Sequence, residues 1–149
     1  MELNQDQRAF LEKARGAAMI TRRRSGSPHA VREGIALIDG TIWSSGVPDR
    51  VRTRFLRRDP RCTMFVWSQG YGYLTLEGRV TILDGPDAPD QSVRLFQAMQ
   101  AGMQPGPPEG HLMWQGQPLT IADFRKAMVD EQRLIYQLEI ERAYGMPLS

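Results

Sequence analysis

The chain has 149 residues, of which 41% are hydrophobic and 24% are charged. This composition predicts one globular, soluble domain over residues 1–149 and excludes a disordered chain. The net charge is only +2, so composition gives little support for a general nucleic-acid or membrane surface. The single cysteine, Cys62, excludes an internal disulfide and fits a cytoplasmic location. We expect no membrane insertion, because no segment has the length of an apolar span or the apolar core of a signal peptide.

The first elements are predicted by a helix cap and a hairpin signal. Asn4 and Gln7 have the spacing of a capping box and predict a helix over Gln5–Lys13. Three strands are predicted after this helix: Ala17–Thr21, Pro28–Ile38 and Thr41–Ser45. Asp39-Gly40 is the strongest short hairpin signal in the chain and joins the second strand to the third.

An arginine-rich segment follows the third strand directly, with six arginines among the twelve residues 50–61. Pro48 is suited to the first turn of a helix, because its ring presets φ and its missing N–H would be unpaired there. Val51 and Phe55 are spaced i, i+4 and share one face, which we expect to be buried together with Leu56. Pro60 ends the helix. The segment therefore predicts a short helix on a folded scaffold and not a basic tail.

The start of this helix is a candidate anion site. It presents free N–H groups and the positive end of the helix dipole, which suit a phosphate or a carboxylate. Arg50, Arg52 and Thr53 add charge and hydrogen bonds at this point. The alternative is a solvated helix whose arginines pair with Asp49 or Glu33.

The C-terminal half is predicted to add three strands and two helices. The strands are Arg61–Trp67, Tyr71–Leu83 and Leu134–Ile140, and the helices are Asp90–Ala101 and Ile121–Asp130. Gly78 inside the second of these strands predicts a bulge or a bend. Gln104–Pro118 is rich in Gly and Pro and is predicted to be irregular, with Trp114 either a lid over a substrate or an anchor for the loop. Six strands with short hairpins favour an antiparallel sheet curled into a small barrel.

No motif in the sequence supplies reaction chemistry of its own. Only two histidines and one cysteine are present, and no pair has metal-ligand spacing, so we expect no metal site. Nucleophile-elbow, Walker and dinucleotide-binding motifs are absent from the sequence. We therefore assign no catalytic residue. A fold with an anion site and no evident nucleophile often binds a cofactor that supplies the chemistry.

The order of elements and the pattern Arg-x-Arg-Thr-Arg-x-Leu-Arg-Arg-Asp-Pro over Arg50–Pro60 resemble a known family. They are similar to the split β-barrel flavin and deazaflavin oxidoreductases, relatives of pyridoxamine 5′-phosphate oxidase. The stretches Phe124–Val129 and Tyr144–Pro147 resemble the actinobacterial branch that uses coenzyme F-420. The resemblance covers nearly the whole chain. It implies a mainly β fold with some α, a six-stranded antiparallel split β-barrel with peripheral helices, and a homodimer with the cofactor in a groove at the dimer interface.

The resemblance also implies which residues hold the negative charges of the cofactor. Arg50 and Arg52 would bind the phosphate and the carboxylates of the oligoglutamate tail, and Thr53 would help at the phosphate. The family commonly has lysine where Arg52 stands, and an arginine can bind an anion bidentately. It commonly has asparagine where Phe55 stands, so this chain lacks one polar contact.

Further residues are implied to surround the ring of the cofactor. Ser44 and Ser45, at the end of the third strand, would lie against the deazaflavin. Tyr71 and Tyr73 would come from the partner subunit and flank the site. The segment Val31–Glu33 occupies a cofactor-facing strand in the family, and two of its three residues are charged here.

The sequence therefore predicts an F-420-dependent oxidoreductase that transfers a hydride to a small electrophilic organic substrate. One alternative is an FMN-binding oxidase or reductase of the same fold, which would need fewer arginines. Another is a non-catalytic cofactor-binding protein. We expect no nucleic-acid binding, because the arginine-rich segment offers only Phe55 as an aromatic neighbour.

Overall fold

In the computed structural model, which describes residues 1–148, nine strands and four helices follow one another along the chain. The strands are β1 (Gly16–Arg22), β2 (Pro28–Gly34), β3 (Ala36–Ile38), β4 (Thr41–Gly46), β5 (Arg61–Trp67), β6 (Tyr73–Leu83), β7 (His111–Trp114), β8 (Gln117–Thr120) and β9 (Leu134–Met146). The helices are α1 (Gln5–Lys13), α2 (Val51–Arg58), α3 (Ala88–Gln100) and α4 (Ile121–Asp130).

Seven strands form one antiparallel sheet in the order β2-β1-β5-β6-β9-β4-β3, and β7 pairs with β8 in a separate hairpin. The sheet curls until its edge strand β2 approaches β4, where Ser44 Oγ donates a hydrogen bond to Glu33 Oε2 at 3.1 Å. β2 and β4 are not hydrogen-bonded neighbours in the sheet order, so the barrel stays open between them. We call this opening the split. The predicted split β-barrel with peripheral helices is therefore confirmed.

The predicted count of six strands is wrong, for two local reasons. The segment Pro28–Ile38, predicted as one strand, is interrupted at Ile35 and forms β2 and β3, which pair with β1 and with β4 respectively. The segment Gln104–Pro118, predicted to be irregular, contains β7 and the first residues of β8. Gln115 and Gly116 connect these two strands with φ of 51° and 78°, a pair of values typical of a two-residue hairpin turn.

Several local signals are confirmed. Asn4 and Gln7 form both hydrogen bonds of the capping box, at 2.8 and 3.0 Å, and α1 has the predicted bounds. Asp39 and Gly40 turn between β3 and β4. Gly78 marks a register shift between β6 and β9, and a Cβ there would lie 1.8 Å from the carbonyl oxygen of Glu139. A side chain at this position would therefore force the two strands apart.

The arginine-rich helix begins later than predicted. Arg50 is the N-cap of α2, so Pro48 lies in the turn before the helix and not in its first helical turn. The Thr53 hydroxyl donates to the carbonyl of Val47 at 2.8 Å and holds this turn against the helix. Val51 is 42% exposed, contrary to the predicted buried face. Leu56 is buried as predicted.

Two apolar clusters hold the fold together. One fills the inside of the curled sheet beneath α1, and its fully buried members include Leu11, Met19, Met64, Leu76 and Leu138. The other lies between the β3–β4–β9 part of the sheet and α3, α4 and β7, and includes Trp43, Leu95, Phe96, Phe124 and Ile135. This second cluster supports the elements that border the split. Within residues 1–148, no helix combines the length and the apolar character needed to cross a membrane.

Candidate functional site

A cavity of about 410 Å³ lies at the split, and we call it the split cavity. Its polar lining consists of Arg32, Glu33, Ser45, Arg50, Arg52 and Arg133. Its remaining lining consists of Val31, Gly34, Phe96, Met99 and Trp114. One side of the cavity is therefore cationic and the other is apolar and aromatic. Such a cavity suits a molecule that carries both a ring system and a negative charge.

Arg52 reaches the split cavity but is already paired. Its guanidinium forms an ion pair with Glu33, and the two side chains are only 11% and 9% exposed. It also lies over the ring of Tyr136, with 5.7 Å between Cζ and the ring centroid. The predicted alternative of a pair with Glu33 is therefore present. Since this carboxylate occupies one edge of the guanidinium, only the rest of Arg52 remains for a ligand.

Two buried polar atoms at the cavity have no hydrogen-bond partner among residues 1–148. They are Arg52 Nε, a donor, and Ser45 Oγ, which can donate or accept. Unpaired buried polar atoms are costly and rare in folded proteins. Both belong to residues that line the same cavity. Three further unpaired atoms in the described part of the chain, on Thr21, His29 and Ser92, belong to residues that do not line the cavity, so Arg52 Nε and Ser45 Oγ are the candidates for hydrogen bonds to a ligand here.

Arg50 stands at the start of α2 with its side chain exposed and also lines the split cavity. No side chain caps this end of the helix, and its first turn contains no acidic residue. The free N–H groups and the positive end of the helix dipole therefore remain available to an anion. Of the predicted anion-binding residues, Arg50 has the position that fits the prediction most directly.

Thr53 and Ser44 lie behind the cavity rather than along it. Thr53 is fully buried; its hydroxyl donates to the Val47 carbonyl and contacts the hydroxyl of Tyr136. Because the proton of Thr53 goes to Val47, the Tyr136 hydroxyl is the donor in the second contact. Burial raises the pKa of Tyr136. Ser44 is likewise fully buried and donates to Glu33.

Sequence reasoning missed Arg133. This residue directly precedes β9, and the pairing of Leu134 with Gly46 places it beside the end of β4, next to the turn that leads to α2. Its side chain is 16% exposed, pairs with Glu131 at 2.9 Å and lies 5.0 Å from the centroid of the Trp114 ring. The register of β9 against β4 was the signal needed to find it.

The apolar side of the cavity is built by α3 and the β7–β8 hairpin. The Trp114 indole N–H donates to Glu131 Oε2 at 3.0 Å, and its ring packs edge-on against Phe96 and Phe124 at 5.3 and 5.8 Å. Trp114 therefore anchors the hairpin, one of the two predicted roles, and also borders the cavity.

Tyr71 and Tyr73 do not line the split cavity. Tyr71 is 90% exposed in the turn before β6. Tyr73 is half-buried and stacks on Phe65, which also stacks on Trp67, at centroid distances of 5.4 and 6.1 Å. These three aromatic residues lie side by side on the outer face of β5 and β6.

A second cavity, of about 760 Å³, lies beside α1 and the β5–β6 turn. Lys13, Arg15 and Arg32 give it positive charge, and Phe10 and Trp67 give it apolar surface. It contains neither of the unpaired atoms described above, and the arginines of α2 do not line it. The split cavity is therefore the stronger candidate site, although it is smaller.

The described residues supply neither a metal cluster nor an activated thiol. No group of three His, Cys, Asp or Glu side chains within residues 1–148 is placed to hold a metal ion. Cys62 is buried, and burial raises the pKa of its thiol to about 12. This thiol is thus protonated near neutral pH and is a poor nucleophile.

Comparison with known proteins finds a family model that covers nearly the whole chain. The family model described as pyridoxamine 5′-phosphate oxidase matches residues 3–146. The conserved hypothetical protein Rv2991 from Mycobacterium tuberculosis is 23% identical, with a TM-score of 0.69 over 97% of this chain and 84% of that chain. An F420 reductase is 18% identical, with a TM-score of 0.68 over 95% of this chain and 98% of that chain. An FAD-binding protein from Mesorhizobium loti is 17% identical, with a TM-score of 0.64 over 96% and 94%. At such low identities these likenesses show the fold alone.

Proposed function

The chain belongs to the pyridoxamine 5′-phosphate oxidase family, and from this premise we propose that it is a coenzyme F-420-dependent oxidoreductase. A reduced deazaflavin, when bound, supplies a hydride to an electrophilic organic substrate. The chain itself positions the cofactor, offers positive charge to its anionic groups and lines the cavity with apolar side chains. The proposal includes a cytoplasmic location, with which the single buried cysteine Cys62 is compatible.

The observation that carries this proposal is the pair of unpaired polar atoms in the split cavity, Arg52 Nε and Ser45 Oγ. A phosphate or a carboxylate offers the acceptors that Arg52 requires, and Ser45 can donate to a ring or phosphate oxygen. The uncapped start of α2 lies at the same place. The residues present therefore fit an anionic cofactor.

The proposed roles follow from the position of each side chain. Arg50 and Arg52 bind the negative groups of the cofactor, and Ser45 contacts its ring. Ser44 and Thr53 are fully buried and support the proposed site from behind. Ser44 donates to Glu33, and Thr53 donates to the Val47 carbonyl just before α2. Arg133, at the same cavity, adds a further positive charge.

We also propose that two copies of the chain share the site as a homodimer. Phe65 and Trp67 are 38% and 44% exposed and stack with Tyr73 on the outer face of β5 and β6. An exposed apolar patch of this kind is typical of a protein interface. In a dimer built on this face, Tyr71 and Tyr73 of the partner subunit flank the cofactor groove, as the resemblance implies.

One observation favours FMN as the second candidate cofactor. Of the four arginines at the split cavity, Arg52 is paired with Glu33 and Arg133 with Glu131. Among residues 1–148, Arg32 and Arg50 form no ion pair with a carboxylate. Two available cations match a single phosphate and offer less to a long acidic tail.

Titration with F-420, its tail-less form and FMN at low and high salt distinguishes these candidates. Trp114 lines the cavity, so quenching of tryptophan fluorescence reports binding. We expect F-420 to bind most tightly and its advantage to shrink as salt rises, because exposed charges are screened. Tighter binding of FMN would support the flavin candidate. Absence of binding by all three would contradict both and favour a protein that has lost its cofactor.

The anion site is tested by Arg50→Glu, with Arg54→Glu as the matched control. Arg54 lies on the same exposed helix, donates to the carbonyl of Asp49 at 3.3 Å and does not line the cavity. We expect Arg50→Glu to weaken F-420 binding by at least about tenfold, since a charge-assisted hydrogen bond contributes roughly 1.5–3 kcal/mol. Arg54→Glu should change it little at high salt. Equal effects of the two variants would remove Arg50 from the site.

A further inference from the structure

Glu33 is the one carboxylate among the described residues that line the split cavity, where it faces four arginines. It lies on the edge strand β2 and is 9% exposed. Ser44 Oγ donates to its Oε2, and Arg52 pairs with its Oε1. Oε2 is thus held by β4 across the split, and Oε1 is held by α2. The carboxylate cannot turn out of the cavity without losing both contacts.

This fixed negative charge acts on any anion that binds at α2. Arg52 is adjacent to Glu33 and lines the cavity in which the anion would bind, so its positive charge is shared between Glu33 and the ligand. The remaining lining charges are Arg32, Arg50 and Arg133, and the last of these is itself paired with Glu131. A second negative charge on the bound phosphate is therefore repelled by Glu33. Burial limits the screening of this repulsion by salt.

We infer that Glu33 determines charge specificity in the split cavity, favouring a singly charged phosphodiester over a doubly charged phosphate monoester. The inference rests on the proposed function, because it requires an anionic cofactor in this cavity. Like-charge juxtaposition is a common means of rejecting a wrong partner. The comparison concerns the phosphate group alone: F-420 carries a diester, with its acidic tail attached beyond it, whereas FMN carries a monoester.

The surroundings of Glu33 also make this specificity depend on pH. Burial raises the pKa of Glu33, and this exceeds the lowering by Arg52, Ser44, Arg50 and Arg133. The remaining titratable neighbour is Tyr136 on β9, whose own pKa is raised. As the pH falls towards the raised pKa, Glu33 takes up a proton and stops repelling the ligand. Affinity for an anion of constant charge should therefore increase as the pH falls.

Riboflavin 5′-phosphate and its monomethyl ester test the inference directly. They differ by one methyl group and, at pH 8, by one negative charge, since a phosphate monoester has a second pKa near about 6. We expect Glu33→Gln to improve binding of riboflavin 5′-phosphate at least about tenfold more than binding of the methyl ester. Glu139→Gln is the control, because it removes the same charge from an exposed position on β9. It should leave the ratio of the two dissociation constants unchanged.

The wild-type protein provides a second measurement that does not depend on the folding of a variant. The methyl ester keeps one charge across the range, so its affinity for the wild type should rise as the pH is lowered from 8 towards the raised pKa of Glu33. Glu33→Gln should flatten this profile. If both flavins bind but Glu33→Gln leaves their ratio and the pH profile unchanged, the inference is wrong and the proposed site stands. If neither flavin nor F-420 binds, the proposed function fails and the inference fails with it.

Discussion

At the level of single residues, the start of α2 depends on hydroxyl groups inside the protein. The Thr53 hydroxyl donates to the Val47 carbonyl and accepts from Tyr136, and both side chains are fully buried. Gly46 leaves room for this arrangement, because a Cβ there would lie 2.2 Å from the Tyr136 hydroxyl oxygen. These contacts fix where Arg50 and Arg52 stand. The cationic side of the split cavity is therefore held in place from the core.

We expect Thr53→Val to reduce the free energy of unfolding by about 1–3 kcal/mol, because it leaves the buried Tyr136 hydroxyl without its acceptor. Tyr136→Phe should have a cost in the same range. The double variant should cost less than the sum of the two, since either single change already breaks their shared contact. Urea denaturation of the wild type and the three variants measures this coupling. Additive costs would mean that the two hydroxyls contribute independently.

At the level of elements, the side chain of Gln100 adds two hydrogen bonds to the packing of Trp114 on Phe96 that joins the β7–β8 hairpin to α3. Gln100, the last residue of α3, donates from Nε2 to the Met113 carbonyl at 2.9 Å, and its Oε1 accepts from the Met113 N–H at 2.8 Å. Trp114, the next residue, borders the split cavity. The apolar wall of the cavity thus depends on the attachment of the hairpin.

Replacement of Gln100 by Ala should loosen this hairpin without unfolding the sheet. Hydrogen exchange should become faster for the amide of Met113 and its neighbours in the hairpin, and should be unchanged in β5. Gln97→Ala is the matched control, because Gln97 lies on the same helix with its side chain exposed. Faster exchange throughout the sheet would show instead that Gln100 contributes to global stability.

The same elements show what a sequence can predict. The bounds of α1, β5 and α4 follow from caps and alternation, which are local signals. The break at Ile35 was not predicted, because the pairing of the two halves of Pro28–Ile38 with different strands is a long-range feature that the local sequence does not reveal. The turn at Gln115-Gly116 was missed because it lacks the usual Asn-Gly or Asp-Gly pair.

Some residues of the candidate site could likewise be predicted from local sequence, and others could not. Arg50 and Arg52 could be predicted from the helix start, which is a local feature of the sequence. Arg133 and the contact of Glu33 with Ser44 depend on strand register and on the curl of the whole sheet. No spacing in the sequence encodes these. Arg133 adds to the charge of the cavity and the Ser44 contact holds Glu33 in it, so this part of the site required the structure.

At the level of the whole molecule, β5 has large apolar side chains on both of its faces. Met64 and Val66 are fully buried inside the curled sheet, whereas Phe65 and Trp67 point outwards and are 38% and 44% exposed. An antiparallel sheet with one face in water normally carries polar residues on that face. The end of this outer face that carries Phe65, Trp67 and Tyr73 is therefore apolar where a solvated face would be polar.

We expect Phe65→Glu to convert a wild-type homodimer into a monomer. The new carboxylate would stand in the centre of the apolar contact, where an unpaired charge is costly to bury. The fold should be retained, because the Phe65 side chain is not part of the core. Val129→Glu is the matched control, since Val129 on α4 is 47% exposed and the charge change is the same.

Light scattering at micromolar concentration measures the mass, and fluorescence titration of the same samples measures cofactor affinity. If the two copies share the groove, Phe65→Glu should lose dimer and affinity together while Val129→Glu keeps both. A monomeric wild type that binds cofactor would contradict the shared groove, and a dimeric Phe65→Glu would place the interface on another face.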